Sequence, residues 1–363
     1  MPTKYRAAII GATGRGDYGH GLDEAFRDVD SVEVVALADA DPQGLEATGA
    51  KLGIAQRYAD YRQMLEAERP DLVAIAPHSV NERGAMIKAA AGVGAHIYCE
   101  KPLVATLAEA DAIYAACSAA GVQLAMAHQF GAMPAVRRAL VEVRAGTYGR
   151  LLCLWARPKD DARGGGEELI VHGTHLFDLM IAFAGPPQWV SGHIGVDGRD
   201  ATPAAARRHP HLGPMAGDAL SATFGFGDGV YGFINSTADL DRDEYMLYGL
   251  KLECENALLH ICSPGEVYVY PAPTVLPEAG NLSWQPLSAD GGPPPGQKWL
   301  DWGNQVLVAD LVAAAYSEQY ASDGLRQAHL ITEMIQGVYA SHFADGQRLA
   351  IPLKERQHPL ETV

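Results

Sequence analysis

The sequence is poor in cysteine and in positive charge, and it has no long hydrophobic run. Its five cysteines (Cys99, Cys117, Cys153, Cys254 and Cys262) are scattered through 363 residues, with no C-x-x-C pair. That excludes a disulfide framework and a zinc ribbon, and it predicts reduced thiols. Lys and Arg number 28 against 44 Asp and Glu, a formal net charge of −16. A bulk negative field repels phosphate backbones, so nucleic acid is not the expected partner. No apolar run approaches the ~18 residues of a membrane span. Met1-Pro2-Thr3-Lys4-Tyr5-Arg6 runs directly into a strand-like segment, without a signal-peptide pattern, so a cytoplasmic location is expected. Internal repeats are also missing. Hydrophobic residues at 48% and charged residues at 20% are ordinary globular values. The length predicts about two domains.

Up to about residue 128, short apolar runs alternate with Ala-rich helical stretches. The runs are Tyr5 to Ile10, Val32 to Ala38, Leu72 to Ala76, His96 to Cys99 and Val122 to Ala127. Such runs suit strands buried on both faces of a parallel sheet, and the alternation predicts a doubly wound Rossmann domain over residues 1–128. Ligands of such a sheet bind beyond the carboxyl ends of its strands. Polar residues stand at those ends: Asp39, Pro77-His78, Glu100-Lys101 and His128. Residues 129–363 have a different texture. Leu151 to Ala156, Ala219 to Phe226, Val230 to Thr237, Tyr245 to Cys254 and Val267 to Tyr270 read as longer, antiparallel strands, with Asp228-Gly229 as a hairpin turn. This predicts an α/β domain on a large, mainly antiparallel open sheet. Helices are expected at Leu307 to Tyr316 and Leu325 to Phe343. Asp197–Gly217 and Pro271–Gly296 are longer than usual surface loops and are candidate lids or binding loops.

Gly11-Ala12-Thr13-Gly14-Arg15-Gly16 follows the first strand. Glycines there let the backbone approach a pyrophosphate, and a following helix N-terminus would favour the negative charge. Strict dinucleotide spacing needs glycine at 13, where Thr13 stands; Gly14-x-Gly16-x-x-Gly19 is a complete second register. Asp39 ends the second strand, where a carboxylate accepts from ribose hydroxyls and disfavours a 2′-phosphate. NAD is therefore the expected cofactor, and Arg15 keeps NADP open.

Glu100-Lys101-Pro102 closes a buried strand. A lysine is rarely buried unless paired. Beside a nicotinamide cation its pKa would fall, which suits an acid/base for alcohol–carbonyl interconversion. The segments Tyr61-Arg62-Gln63-Met64-Leu65, Pro70-Asp71-Leu72-Val73, Ala76-Pro77, His96 through Leu103 and Arg348 through Leu353 together resemble the glucose–fructose oxidoreductase / inositol dehydrogenase / rhizopine catabolism family. The resemblance implies an N-terminal Rossmann domain and a C-terminal substrate and oligomerisation domain. It also implies that Lys101 contacts both the nicotinamide ribose and the substrate hydroxyl, that Pro77, Glu100 and His128 lie near the cofactor, and that Lys101-Pro102 is cis. His78 and Asn81 replace more usual Asn and His residues of the family.

Val171-His172-Gly173-Thr174-His175-Leu176-Phe177-Asp178 reads as a helix entry, with His172, His175 and Asp178 on one face. The family pattern is Asp-x-Gly-x-His-x-x-Asp. Gly173, His175 and Asp178 match it, and Val171 stands at the catalytic Asp position. His175 inherits the proton-transfer role by resemblance, and its ordinary pKa near ~6.5 suits that work. Metal ligation by His172, His175, Asp178 and His193 is the weaker rival, so no metal is expected. Trp155, Arg157 and Lys159, before Gly164-Gly165-Gly166, are substrate candidates because relatives face the substrate there; His172 and Asp178 join them.

These features predict an NAD-dependent oxidoreductase acting on a secondary hydroxyl of a sugar, sugar derivative or cyclic polyol, in a homodimer or homotetramer. The catalytic candidates are Lys101 and His175. Gly11, Thr13, Gly14, Arg15, Gly16 and Asp39 are the further cofactor candidates. Two alternatives remain: redox-neutral, NAD-dependent cleavage of a glycoside, and a non-catalytic sensor on the same scaffold.

Overall fold

The computed structural model describes residues 4–159, 161–238, 248–275, 282–316 and 323–361. The chain divides into two compact units. The first gathers Met1–Gln129 with His209–Gly213 and Pro293–Thr332. Its sheet has six strands: β1 (Tyr5–Ile10), β2 (Val32–Ala38), β3 (Gln56–Tyr58), β4 (Leu72–Ile75), β5 (His96–Cys99) and β6 (Leu124–Met126). They are parallel and ordered β3-β2-β1-β4-β5-β6. Every residue of β4 is buried, as a central strand covered on both faces requires.

Three of the connecting helices start at a side-chain cap. Helix α1 (Pro42–Leu52) has Asp41 accepting from Gly44 N, and α2 (Tyr61–Glu68) has Asp60 accepting from Arg62 N. Helix α3 (Arg83–Gly92) follows β4, and α4 (Leu107–Ala120) is capped by Thr106 accepting from Glu109 N. These side chains satisfy first-turn N–H groups that have no partner in the helix. One expected helix is missing. After β1 the chain makes consecutive turns and a single 3-10 turn at Leu22–Glu24. Gly14, Gly16, Gly19 and Gly21 all take positive φ there, and Ala12 and Asp17 pair as an isolated bridge. A helix would forfeit those turns and bear the glycine penalty.

The helix Trp299–Tyr316 begins eight residues before the expected Leu307, and it packs with the first unit. Its Val308 and Leu311 join Ile9, Leu37, Leu72 and Tyr98 in one buried cluster.

The second unit comprises Phe130–Arg208, Pro214–Gly292 and Glu333–Val363. Its sheet is mixed and mainly antiparallel. In spatial order the strands are Gln285–Pro286, Glu266–Tyr270, Leu258–Cys262, Gly249–Cys254, Leu151–Arg157, Tyr231–Thr237, Ala219–Gly225, Trp189–Val196 and Leu349–Ala350. One pair, Leu151–Arg157 with Tyr231–Thr237, is parallel. Asp228 (φ 54°) and Gly229 (φ 75°) make the expected hairpin turn. The strand expected from Tyr245 runs from Gly249; residues 245–247 lie outside the described residues. The other helix expected late in the chain is Gly324–His342. Among the described residues, no helix is long and apolar enough to cross a membrane.

Candidate active site

The carboxyl edge of the first sheet carries most of the polar candidates. Strands β1 and β4 are neighbours whose connections run in opposite directions, which is where such sheets open a crevice. Two cavities lie at this edge. One, of about 190 Å³, is lined by Gly11, Ala12, Arg15, Asp39, Asp60 and Arg62 among others. The second, of about 440 Å³, is lined by Gly14, Gly16, Asp17, Gly19, His20, His78 and His211.

Asp39 anchors the intervening loop. Its carboxylate accepts from Thr13 N at 3.0 Å, Thr13 Oγ1 at 2.6 Å, Tyr18 OH at 2.9 Å and Asp41 N at 3.0 Å. Four donors occupy essentially all of a carboxylate's acceptor capacity. Gly11 both lines the first cavity and packs against Tyr18. A Cβ there would sit 2.2 Å from a Tyr18 ring carbon, so the bare face of Gly11 receives Tyr18. Gly14 faces open space.

Beyond β5, Glu100 is fully buried and Lys101 is 2% exposed. The Lys101–Pro102 peptide is cis, as expected. Arg83, also fully buried, donates to the carbonyls of Pro77 and Pro102 and so ties the loop after β4 to the loop after β5. Glu100 Oε1 lies 2.6 Å from His20 Nδ1 and 3.3 Å from His78 Nδ1. Burial alone would raise the Glu100 carboxyl; the two imidazoles and Lys101 outweigh it and hold the group far below the usual carboxylate range. His78 is lowered overall: its bond to Glu100 pulls upward, but burial and the Lys101 charge prevail. His128 follows β6 and is buried, its N–H bonded to Met126 O.

The second unit holds a separate polar cluster where two helices meet. Gly165–Val171 and Gly173–Ala184 join at His172. Glu168, four residues earlier, is fully buried and points its carboxylate at His172 Nδ1, 2.7 Å away. The same carboxylate accepts from Lys159 N at 3.1 Å and lies 3.4 Å from Arg163 Nε. His172 packs edge-on against Tyr248, with centroids 5.0 Å apart. Phe130 bridges Tyr248 and His175, at 5.3 and 5.7 Å. Lys159 Nζ stands 6.0 Å from the centre of the Tyr248 ring. Burial raises the Tyr248 hydroxyl well above its ordinary value. Asp178 is half-buried one turn beyond His175, near Gly131. Sequence reasoning missed Glu168, Tyr248 and Phe130. Glu168 had a signal, since a carboxylate four residues before a histidine faces it on a helix.

Trp155 is not gathered with this cluster. Ala156 pairs with Ile234 and Trp155 with Phe233 across the parallel strands. Ile234 faces Gly173 on the helical side, so alternation turns Trp155 to the opposite face. There it is 48% exposed and stacked on Phe233 at 4.3 Å. His193 shares that outer face with Trp155, so it stands apart from His172, His175 and Asp178. The only group with metal-ligand spacing among the described residues is His20, His78 and Glu100. Arg157 ends its strand half-buried. Arg207 pairs with Glu167 at 2.8 Å.

Residues 5–128 match the family model described as an oxidoreductase family with an NAD-binding Rossmann fold, Gfo/Idh/MocA. That match covers the Rossmann part of the chain, about a third of its length. D-Apiose dehydrogenase of Paraburkholderia graminis is 38% identical over 146 residues, covering 40% of this chain and 38% of that protein. Myo-inositol 2-dehydrogenase of Thermotoga maritima is 30% identical over 102 residues, covering 28% and 30%. The matched stretch therefore spans well under half of these curated relatives. The solved structure of a levoglucosan dehydrogenase in complex with NADH and levoglucosan superposes with a TM-score of 0.76 at 17% identity, over 96% of this chain and all of that one, a likeness of fold.

The residues of the first unit fit the dinucleotide that an NAD-binding Rossmann fold implies. The two cavities flank the glycine loop at the carboxyl edge, and open space lies over Gly14. Arg15 supplies a cation beside the loop.

Proposed function

We propose that the chain is an NAD-dependent oxidoreductase that oxidises a secondary hydroxyl of a sugar, sugar derivative or cyclic polyol. Lys101 carries the reading: an ammonium only 2% exposed, just past a central strand, in a unit of an NAD-binding family. Gly11, Thr13, Gly14, Arg15 and Gly16 are assigned to the dinucleotide's phosphates, and Asp39 to its adenosine ribose through exchange with the Tyr18 hydroxyl. A carboxylate at that position repels a 2′-phosphate, so NAD is preferred to NADP. Pro77, Glu100 and His128 are assigned to the nicotinamide end. When bound, the nicotinamide takes the hydride from the carbinol carbon.

Lys101 takes the hydroxyl proton, helped by His175. Val171 stands at the family's catalytic Asp position, and the Glu168–His172 pair is the nearest substitute in this chain. Glu168 is the positioning residue: it fixes Nδ1 of His172. Arg157, Lys159 and Asp178 complete the substrate set; Trp155, on the opposite face of its sheet, stands apart from them. The substrate class follows the names of the relatives. A homodimer or homotetramer is proposed from the family resemblance.

A second reading, redox-neutral cleavage of a glycoside, is favoured by one observation. His172 and His175 offer two imidazoles on one helix junction, and elimination beside a transient ketone needs a second acid/base. The test is NADH formation with NAD⁺ over a panel of sugars, inositols, anhydrosugars and glycosides, with aglycone release followed in parallel. Net NADH with one class supports the dehydrogenase. Aglycone without NADH transfers the assignment to the second reading, and neither signal removes both. Lys101→Ala is expected to lower kcat by about 10³-fold while NAD⁺ still binds; near-normal turnover would exclude the role.

A further inference from the structure

We propose that His20, His78 and Glu100 form a binding site for one divalent transition-metal ion of the zinc class. The three residues come from the loops after β1, β4 and β5, and their ligand atoms all lie within 4.8 Å of one another. Two imidazoles and a carboxylate are a nitrogen-and-oxygen donor set suited to zinc. Ligands at ~2.0–2.2 Å on a tetrahedral ion stand about 3.3–3.5 Å apart. His78 Nδ1 and Glu100 Oε1 are at 3.3 Å already. His20 Nδ1, at 2.6 Å, needs a small rotation of a half-exposed side chain.

A second observation points to a ligand. Glu100 Oε2 is buried and has no partner among the described residues. A carboxylate that is fully buried ordinarily has both oxygens satisfied, because an unmet one costs about 1–3 kcal/mol or more. Both imidazoles converge on Oε1 of this side chain, and an ion held by the two carboxylate oxygens together gives Oε2 its partner.

The scaffold holds the donors in place. Gly19 lies against Glu100: a Cβ there would meet the Glu100 side chain at 2.9 Å and Ala76 O at 2.7 Å. His20 O accepts from Asn304 Nδ2 at 3.0 Å. Asn304 Oδ1 in turn accepts from Tyr98 OH and Gln129 Nε2. His78 N donates to Gly16 O at 2.8 Å. Supports of this kind orient ligands before an ion arrives. His20 and His78 line the cavity that also contains His211, so solvent has access to the remaining coordination position. The inference does not rest on the proposed dehydrogenase activity, since binding is read without NAD or substrate.

The test is equilibrium binding of Zn²⁺, and of Co²⁺ as its coloured substitute, to the full chain after chelator treatment. One ion per chain is expected, with the visible d–d absorption of a four- or five-coordinate cobalt site. His20→Ala and His78→Ala are each expected to weaken binding by at least about tenfold, while His193→Ala, on the outer face of the other unit, leaves it unchanged. Glu100→Gln is expected to abolish the cobalt spectrum; should it fail to fold, the half-exposed His20 decides the matter. Stoichiometry below one ion per chain, or unaltered binding in both histidine variants, overturns the site and leaves the cluster as a hydrogen-bonded carboxylate only.

Discussion

Replacing Gly44 with alanine separates local propensity from tertiary packing. Gly44 lies in the first turn of α1. On helix propensity alone, Gly→Ala adds up to about 1 kcal/mol of stability. The structure reverses the sign. A Cβ on Gly44 would lie 1.9 Å from Thr13 Oγ1, 2.5 Å from Thr13 Cβ and 2.8 Å from Thr13 Cγ2. Because Thr13 Cβ is itself too close, no side-chain rotation clears the contact and the Thr13 backbone must retreat. That strains or breaks the Thr13 N and Oγ1 bonds to Asp39, at 3.0 and 2.6 Å. Bonds to a charged group are worth about 1.5–3 kcal/mol each. Loss of one or both exceeds the propensity gain, so a net destabilisation of roughly 1–4 kcal/mol is expected. At about 2–4 °C per kcal/mol, Tm falls by several degrees. NAD⁺ affinity, measured by calorimetry, falls with it, because the displaced loop carries Gly14 and Arg15. Gly92→Ala is the matched control: Gly92 ends α3, is exposed, and a Cβ there would meet nothing within 4 Å. It is expected to hold or raise Tm. A Gly44→Ala protein with raised Tm and unchanged NAD⁺ affinity would refute the account of the loop anchor.

Glu168→Gln keeps the shape and removes the charge facing His172 and Arg163. Tm is expected to fall by an amount corresponding to about 1–3 kcal/mol, and kcat to fall with a displaced pH profile, whereas a purely structural Glu168 would move Tm alone. A titration tests the second unit. His358 is 1% exposed and its Nδ1 accepts from Leu360 N at 3.2 Å, which requires an unprotonated Nδ1. Burial, then the Arg208 charge, lowers it to about 4. The unfolded chain therefore binds the proton first as pH drops. Stability is intact above pH ~6.5 and is lost progressively down to about 4, by up to about 3 kcal/mol. His260, lowered to about 4 mainly by burial, shares the window. His358→Asn retains an acceptor without the titration, so chemical denaturation across that range shows a shallower decline than in the unaltered protein. An equal decline would remove His358 from the explanation.

The sequence by itself determined the parallel sheet. Runs such as Leu72–Ile75 and His96–Cys99 are too short and too apolar for anything but strands covered on both faces. Asp41, Asp60 and Thr106 cap their helices through neighbours only two or three residues on, and Glu100-Lys101-Pro102 belongs to the segments that carried the family resemblance. These signals are local, and local chemistry reads them. The tertiary structure decided what depends on contacts between distant segments. The glycine stretch after β1 became a turn-rich loop, held by Asp39 from β2 and Asn304 from a helix nearly three hundred residues on, instead of a helix N-terminus. Trp155 went to the outer face because strand pairing fixes which alternate residues face the helices. His20 met Glu100 because the turns after β1 fold back over the end of β5. Neither spacing nor composition encodes that meeting, since the strand order that produces it is a property of the assembled sheet.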